Sequence, residues 1–285
     1  MNKLTTIFIT FMWGMCSACS GTDDPNIPKP PSQPPLQPPT QPNETVVFQD
    51  DFSTFNTAVW NKESHQAGWT NQELQSYDPA HVSVEKDGDR TVLTLTAERK
   101  NGLIMSGRVN TKGKKSFKYG KLEASIKLPQ TANGLWPAFW MMGDNNKEWP
   151  ACGEIDIMEM GDAEGIKSGT TSKRINTALH FGASSSAHEQ KYYVANASVN
   201  LQDGNYHTYT MVWDATKIEI SIDGIPFNTF ATKDNPYFQD DFFILFNLAV
   251  GGSFTGITNI SGITALKEGQ KAVMYIDWIK IIETK

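Results

Sequence analysis

Three carboxylates, Glu154, Asp156 and Glu159, lie within six residues of one otherwise apolar run. A core strand rarely keeps so many charges, and a solvated edge usually carries lysines, yet none occurs between Trp149 and Met160. Two carboxyl groups of which one retains its proton can serve as nucleophile and general acid. The run therefore favours such catalysis over metal binding, which would call for histidines or further carboxylates within the segment.

The spacing of these acids requires an irregular strand if all three are to act together. Side chains alternate along a strand, so Glu154 and Asp156 share one face while Glu159 should point to the other. A β-bulge at Ile157 or Met158 would shift the parity by one residue and turn Glu159 toward the other two acids. We predict this bulge, with the apolar residues of the strand on the opposite, core-facing side.

The composition limits the classes of protein to which the chain can belong. It has 285 residues, 39% of them hydrophobic, which is enough for one large core. A net charge of -6 and a pI near 5.4 argue against nucleic acid as a partner and suit an uncharged ligand better. Eight Trp, eight Tyr and 15 Phe supply many flat rings, on which sugars can stack.

The N-terminus has the features of an exported lipoprotein. Residues 1–19 contain a short apolar run, which predicts a signal peptide and is too short to span a bilayer as an ordinary helix. Small residues precede Cys19, as in a bacterial lipoprotein cleavage site, so we expect lipidation at Cys19; Cys16 is the poorer candidate, and ordinary secretion is the alternative. The expected location is beyond the inner membrane, lipid-anchored at the cell surface or on the periplasmic face of the outer membrane. Cys152, the only remaining cysteine, should be a small buried apolar residue.

The rest of the chain divides into a spacer and one folded domain. Residues 20–43 hold nine prolines between positions 25 and 42 and predict a stiff, extended linker. Residues 44–285 consist of short alternating runs separated by Gly- and Asp-containing turns, with no long helical periodicity and no internal repeat. This pattern predicts an all-β domain of two antiparallel sheets packed face to face.

Three tryptophans lie just before the carboxylates. Trp136 and Trp140 are four residues apart and share a face of a regular strand, and Trp149 follows. They could belong to the core of a sandwich. Their position directly before three acids favours a sugar-binding cleft instead.

The run from Glu154 to Glu159 resembles the catalytic signature of the family 16 glycoside hydrolases, and its extra residue resembles the laminarinase branch. Weaker similarities occur in the order that the family has them and extend over roughly residues 46–283. They comprise the stretches 70–77, 106–109, 117–124, 178–182, 246–252 and 275–278.

The resemblance implies a jelly-roll sandwich with a concave glycan cleft and retaining hydrolysis of β-1,3- or mixed β-1,3/1,4-glucans. It implies that Glu154 is the nucleophile, Glu159 the acid/base and Asp156 the electrostatic partner of the nucleophile. Retention needs two carboxyl groups roughly 5 Å apart, which a bulged strand can supply. The chain would then be an endo-acting β-glucanase, and we expect a monomer that needs no cofactor for catalysis.

The same resemblance implies further site residues. Asn71, Arg108 and Asn247 would bind sugar hydroxyls, and His180 would lie in the cleft; a structural ion pair for Arg108 and a core position for His180 are the alternatives. Asp277 would help to bind a structural calcium ion away from the cleft, together with backbone carbonyls near residues 48–51 and 87–88, although it could also be a plain strand-end aspartate.

Two other functions fit the same fold. One is cleavage of a galactan by an agarase- or carrageenase-type enzyme, whose motif usually has different surroundings. The other is non-catalytic glycan binding at the cell surface. A pure binder has no use for two adjacent carboxylates, so their presence favours the enzyme.

Overall fold

The computed structural model describes residues 44–284 of the chain. The predicted signal peptide (1–19) and the proline-rich linker (20–43) lie outside the described residues, so both stay predictions. Within residues 44–284, no helix is long and apolar enough to cross a membrane.

Strands make up about half of the described chain. They are β1 (Glu44–Asp50), β2 (Asn61–Lys62), β3 (Ser76–Tyr77), β4 (Val82–Asp87), β5 (Arg90–Lys100), β6 (Leu103–Ser106), β7 (Arg108–Asn110), β8 (Ser116–Phe117), β9 (Gly120–Lys127), β10 (Leu135–Gly143), β11 (Glu154–Met160), β12 (Arg174–Phe181), β13 (Glu189–Asn196), β14 (His207–Trp213), β15 (Lys217–Ile222), β16 (Ile225–Ala231), β17 (Phe242–Val250) and β18 (Lys271–Thr284). The helical segments are α1 (Ala163–Ser168) and four 3-10 turns, Pro79–His81, Ser185–Ala187, Pro236–Phe238 and Ile260–Gly262.

The strands form two sheets. The first has the order β16-β15-β14-β9-β18-β5-β6-β3, with β1 beside β18 and β4 beside β5. The second, which we call the cleft sheet, has the order β13-β12-β11-β10-β17-β7-β2, with β8 beside β17. The pairing is antiparallel except between β3 and β6. The predicted sandwich of two antiparallel sheets is therefore confirmed.

Apolar side chains from both sheets fill the core. Leu93 and Leu122 of the first sheet belong to the same buried cluster as Phe139 and Phe246 of the cleft sheet. All nine residues of β17 are buried, which explains its nearly continuous apolar sequence. Fully burying one such side chain stabilises the fold by about 1.5–3 kcal/mol. The core can therefore support a cleft sheet whose outer face carries a polar site.

Candidate active site

Strand β11 carries the bulge that the spacing of the acids predicts. Trp140 pairs with Asp156 while the preceding Phe139 pairs with Met158, so Ile157 has no partner on β10. On the other side, Asp156 pairs with Ala178 and the register shifts before Glu159. The shift brings Glu159 to the face that carries the other two acids.

A glycine lies next to each end of this strand. Gly153 has φ +85°, and a Cβ there would lie 2.4 Å from the carbonyl oxygen of Tyr237. Gly161 has φ +96°, and its Cβ would lie 2.1 Å from the carbonyl oxygen of Leu135. Only glycine suits such close backbone approaches in the left-handed region, so these two residues help to define where β11 begins and ends.

The three acids open into a pocket of about 630 Å³ on the outer face of the cleft sheet. Ile155, Ile157, Met158 and Met160 are completely buried on the core side. The pocket is lined by Trp69, Thr70, Asn71, Glu73, Arg108, Trp136, Ala138, Trp140, Met142, Trp149, Glu154, Asp156, Glu159, His180, His188, Asn247, Ser253 and Phe254.

Each glutamate of the cluster accepts a hydrogen bond from an indole. Trp149 Nε1 donates to Glu154 Oε2 at 3.1 Å, and Trp136 Nε1 donates to Glu159 Oε1 at 2.9 Å. The ring of Trp136 also stacks on Phe254, with centroids 4.5 Å apart. Each indole thus orients one carboxyl group and leaves its second oxygen without this bond.

Burial and mutual repulsion make all three acids weak. Burial, followed by the charge of Asp156, raises the pKa of Glu154 to about 8, although His180, Trp149 and Arg108 act in the opposite direction. Burial also raises the pKa of Asp156 to about 8. Burial and then the charge of Asp156 raise the pKa of Glu159 well above its ordinary value, and the charge of Glu154 adds to this. The cluster therefore shares protons near neutral pH, and a negative charge on Glu154 helps to keep Glu159 protonated.

Two histidines continue the cluster along one side. His180 Nε2 lies 3.2 Å from Asp156 Oδ2, without the geometry of a hydrogen bond, and 3.9 Å from Glu154 Oε1. His180 Nδ1 lies 2.9 Å from His188 Nε2, and the two rings stack. Burial and the charge of His180 lower the pKa of His188. The ligand atoms of Glu154, Asp156 and His180 lie within 4.8 Å of one another, so a cation could compete with protons for this cluster.

The opposite wall is built around Arg108, which is 6% exposed. Its Nε donates to Glu63, and its guanidinium lies 5.3 Å from the ring of Trp69 and 4.9 Å from that of Trp140. Burial alone would raise the pKa of Glu63, but the charge and hydrogen bond of Arg108 outweigh it and hold that pKa below its ordinary value. The predicted sugar-binding position and the alternative ion pair thus coincide, because Arg108 both pairs with Glu63 and lines the pocket.

A series of hydrogen bonds between buried side chains lies on the same side of the pocket as Arg108. Glu73 accepts hydrogen bonds from Asn71 Nδ2 at 3.2 Å and from the hydroxyl of Tyr77 at 3.0 Å. That hydroxyl accepts one from Asn247 Nδ2 at 3.2 Å, and Asn247 Oδ1 accepts one from Trp140 Nε1 at 2.7 Å. Asn71 has φ +51°, a conformation that asparagine tolerates better than most residues. These bonds hold Asn71, Asn247 and Trp140 in the pocket with little freedom to rotate.

The residues around Asp277 do not fit the calcium site that the family resemblance implies. Its carboxylate is paired with Arg90, and Lys127 is paired with the nearby Asp87. The ring of Tyr206 lies 4.4 Å from the Arg90 guanidinium, and its hydroxyl donates to Asp87 Oδ2 at 2.7 Å. The side chains of Arg90 and Lys127 already neutralise these acids. A calcium ion would therefore have to displace both side chains.

The pocket gathers all ten side chains predicted to act in catalysis or substrate binding: Glu154, Asp156, Glu159, Asn71, Arg108, Trp136, Trp140, Trp149, His180 and Asn247. Their individual roles stay predictions. Cys152 is free and buried, as expected. The lipidation site, Cys19, lies outside the described residues.

Sequence reasoning missed several residues of the pocket. His188 lies in a turn of weak pattern and reaches the site only because β12 and β13 pair. Trp69, which is 51% exposed and stacks on His65 with centroids 3.6 Å apart, precedes the stretch 70–77 and could have been included with it. Glu73 lies inside that stretch, where it is the only charged residue.

A pair of carboxyl groups that face one open pocket is the arrangement that most glycoside hydrolases use. A family model described as Glycosyl hydrolases family 16 matches residues 69–280. The chain belongs to this family.

Known proteins of similar sequence and structure agree with this. The GH16 protein of the Bacteroides ovatus mixed linkage glucan PUL, solved in complex with G4G4G3G product, is 65% identical, with a TM-score of 0.82, and the match covers 83% of this chain and 100% of that one. Glucan endo-1,3-beta-glucosidase A1 of Niallia circulans is 31% identical over 270 residues, 83% of this chain and 37% of that protein. The alpha subunit of clotting factor G of Tachypleus tridentatus is 29% identical over 249 residues, 84% of this chain and 34% of that protein. The chain thus spans little more than a third of the length of these two curated relatives.

Proposed function

We propose that the chain is a retaining endo-β-glucanase and that mixed-linkage β-1,3/1,4-glucan is its preferred substrate. The observation that carries this proposal is the turn of Glu159, through the bulge at Ile157, onto the pocket wall that holds Glu154. A double displacement requires two carboxyl groups that face the same bound sugar, and Glu154 and Glu159 both line this pocket.

In the first step a carboxylate oxygen of Glu154 attacks the anomeric carbon, and the bond from that carbon to the leaving oxygen breaks. Glu159 gives its proton to the leaving oxygen. Trp149, which donates to Glu154 Oε2, orients the attacking group. The raised pKa of Glu159 suits it to the role of acid, because burial and the negative charge of an ionised Glu154 both help it to keep its proton.

In the second step water replaces the enzyme at the anomeric carbon. Formation of the ester removes the charge of Glu154, so one cause of the raised pKa of Glu159 disappears. Glu159 can then accept a proton from the attacking water, and the ester bond to Glu154 breaks. Asp156 between them tunes the pKa of both glutamates through its charge.

The preference for mixed linkage is supported by the 65% identical Bacteroides ovatus protein, whose bound product is G4G4G3G. The 31% identical relative from Niallia circulans is named as an endo-1,3-beta-glucosidase, so a β-1,3-glucan is the next substrate to test. Trp69, Trp140 and Arg108 give the pocket flat apolar faces and a fixed donor, which suit pyranose rings of either linkage.

The experiment is to incubate the purified chain with lichenan, laminarin and agarose and to measure new reducing ends and product lengths. We expect the fastest release from lichenan, with oligosaccharide products whose new anomeric centre is first β in an NMR time course. Glu154→Gln is the matched control and should bind glucan without releasing product. Binding without release by the wild type would instead indicate a glycan-binding protein, and release only from agarose would indicate a galactanase.

We also propose that Cys19 carries a lipid that holds the domain at a membrane surface outside the cytoplasm. The proposal is supported by the small residues before Cys19 and by the proline-rich stretch after it. A stiff linker of this kind would let the pocket reach an extended polysaccharide. The glucan would then be cut where it meets the cell.

A further inference from the structure

The cleft sheet continues past the pocket to an edge strand, β13. Asp156 pairs with Ala178, and Ala178 pairs with Tyr192. Residues directly opposite one another in neighbouring antiparallel strands point to the same face of a sheet. Tyr192 should therefore point to the face that carries the catalytic acids.

The neighbours of Tyr192 point the other way. The ring of Tyr193 packs edge-on against Phe227 of the first sheet, with centroids 5.4 Å apart. Lys191 Nζ donates to the carbonyl oxygen of Ala231, also in the first sheet, at 2.7 Å. Because side chains alternate along a strand, these contacts independently place Tyr192 on the cleft side.

Tyr192 is 68% exposed, a large exposure for an aromatic side chain on a sheet face. The residue between it and the acids, Ala178, is small and 5% exposed, so no bulky side chain of that row stands between the ring and Asp156. The row spans two strand spacings, about 9–10 Å, which is comparable to the length of a disaccharide. A glucan chain that crosses the strands at Asp156 would pass over this ring.

The two sides of the catalytic strand differ in their polar groups. Beyond β10, the pocket has the buried side chains of Arg108, Asn247 and Glu73, which suit the sugar that must be held and distorted at the reacting carbon. Beyond β12, the same face carries His188, Gln190 and the exposed ring of Tyr192, none of them buried as Arg108 and Asn247 are. This contrast favours the leaving part of the substrate on the β13 side.

We propose that Tyr192 is a sugar-stacking platform for the leaving-group side of the glucan chain, an additional binding site at the edge of the cleft sheet. This inference rests on the proposed glucanase function. The ring contributes apolar area and CH contacts to a passing pyranose, and its open position suits a chain that extends beyond the pocket.

The experiment compares two substrates with the full chain and its Tyr192 variants. One is long mixed-linkage glucan, and the other is a nitrophenyl β-glucan oligosaccharide, whose leaving group contains no sugar. For Tyr192→Ala we expect kcat/KM on the polymer to fall about three- to tenfold, with no change on the nitrophenyl substrate. Tyr192→Phe should keep most of the polymer activity, since it keeps the ring. Leu103→Ala, a change at a similarly exposed apolar residue of the first sheet, is the control and should leave both activities unchanged.

Several outcomes would overturn the inference. An unchanged kcat/KM of Tyr192→Ala on the polymer would do so, and so would an equal fall on both substrates, which would indicate a general structural effect. A wild type that sediments as a dimer and becomes monomeric in Tyr192→Ala, with unchanged kinetics, would show that the ring serves contact between copies. A wild type inactive on both substrates would overturn the proposed function and this inference together, whereas an active wild type with an insensitive Tyr192 variant overturns this inference alone.

Discussion

Trp136 and Glu159 are joined by a hydrogen bond of 2.9 Å from the indole nitrogen to Oε1. This bond lowers the pKa of Glu159, against the stronger effects of burial and of Asp156 that raise it. Trp149 has the corresponding relationship with Glu154, at 3.1 Å. Each of the two indoles thus acts on a different glutamate of the pocket.

Replacing each indole should move a different limb of the pH profile. Trp136→Phe removes a donor that lowers the pKa of Glu159, so the alkaline limb of kcat/KM should move to higher pH. Trp149→Phe should raise the pKa of Glu154 and move the acid limb to higher pH instead. Each variant should lose about three- to tenfold in kcat/KM at the optimum, as expected for one lost hydrogen bond. Phenylalanine keeps a ring at each position, so identical profiles for both variants would contradict the assignment of roles.

The stability of the domain should depend on the ionisation of Glu154. Its pKa rises from an ordinary 4.5 to about 8 on folding, so the folded state binds more protons than the unfolded state between these values. The free energy of unfolding should therefore fall as pH rises from about 4.5 to about 8. The free energy of unfolding of Glu154→Gln should fall less steeply over this pH range. This variant should be more stable than the wild type at pH 8, as measured by thermal unfolding. Glu164→Gln, at an exposed glutamate of α1, is the control and should keep the wild-type slope; an equal slope in Glu154→Gln would show that Glu154 is not the group responsible.

The Arg90 and Asp277 pair should make the fold indifferent to calcium. Since the guanidinium already neutralises Asp277, we expect the same Tm in the presence of calcium and of EDTA. Arg90→Gln should cost about 1 kcal/mol and lower Tm by about 2–4 °C, because it leaves a half-buried carboxylate without its partner. A clear drop in the wild-type Tm with EDTA would show that a cation binds here despite Arg90.

Attachment to the membrane should depend on one cysteine. Cys19→Ala should release the protein into the soluble fraction of cells, whereas Cys16→Ala should leave it in the membrane fraction. The measurement is fractionation followed by immunoblotting with an antibody against the domain. Release by Cys16→Ala alone would move the lipid to that residue, and a membrane-bound Cys19→Ala would point to another attachment.

The sequence predicted the site best where the information is local. The spacing of Glu154, Asp156 and Glu159 along one strand was enough to place a bulge, because side chains alternate along a regular strand and would otherwise keep Glu159 on the opposite face. The alternating runs likewise predicted two sheets. Both inferences depend on periodicity within a few residues.

Contacts between residues that are far apart in the sequence could not be predicted from local patterns. Arg90 and Asp277 are 187 residues apart, so nothing local reveals that a guanidinium meets the expected calcium ligand. Trp136 meets Glu159 across two neighbouring strands, and Trp149 reaches Glu154 from the loop between β10 and β11. His188 reaches His180 only through the turn between β12 and β13. The exposure of Tyr192 depends on its edge strand and on the small Ala178 beside it.

The covalent bond that we propose between Glu154 and the sugar can be trapped, and its detection is the sharpest test of the retaining mechanism. The chain would be incubated with a 2-fluoro oligoglucoside that has a good leaving group, digested, and analysed by mass spectrometry. We predict one added glycosyl unit on the peptide that contains Glu154, and none in Glu154→Gln. A label on any other residue, or turnover with inversion at the anomeric carbon, would show that Glu154 is not the nucleophile of a retaining enzyme.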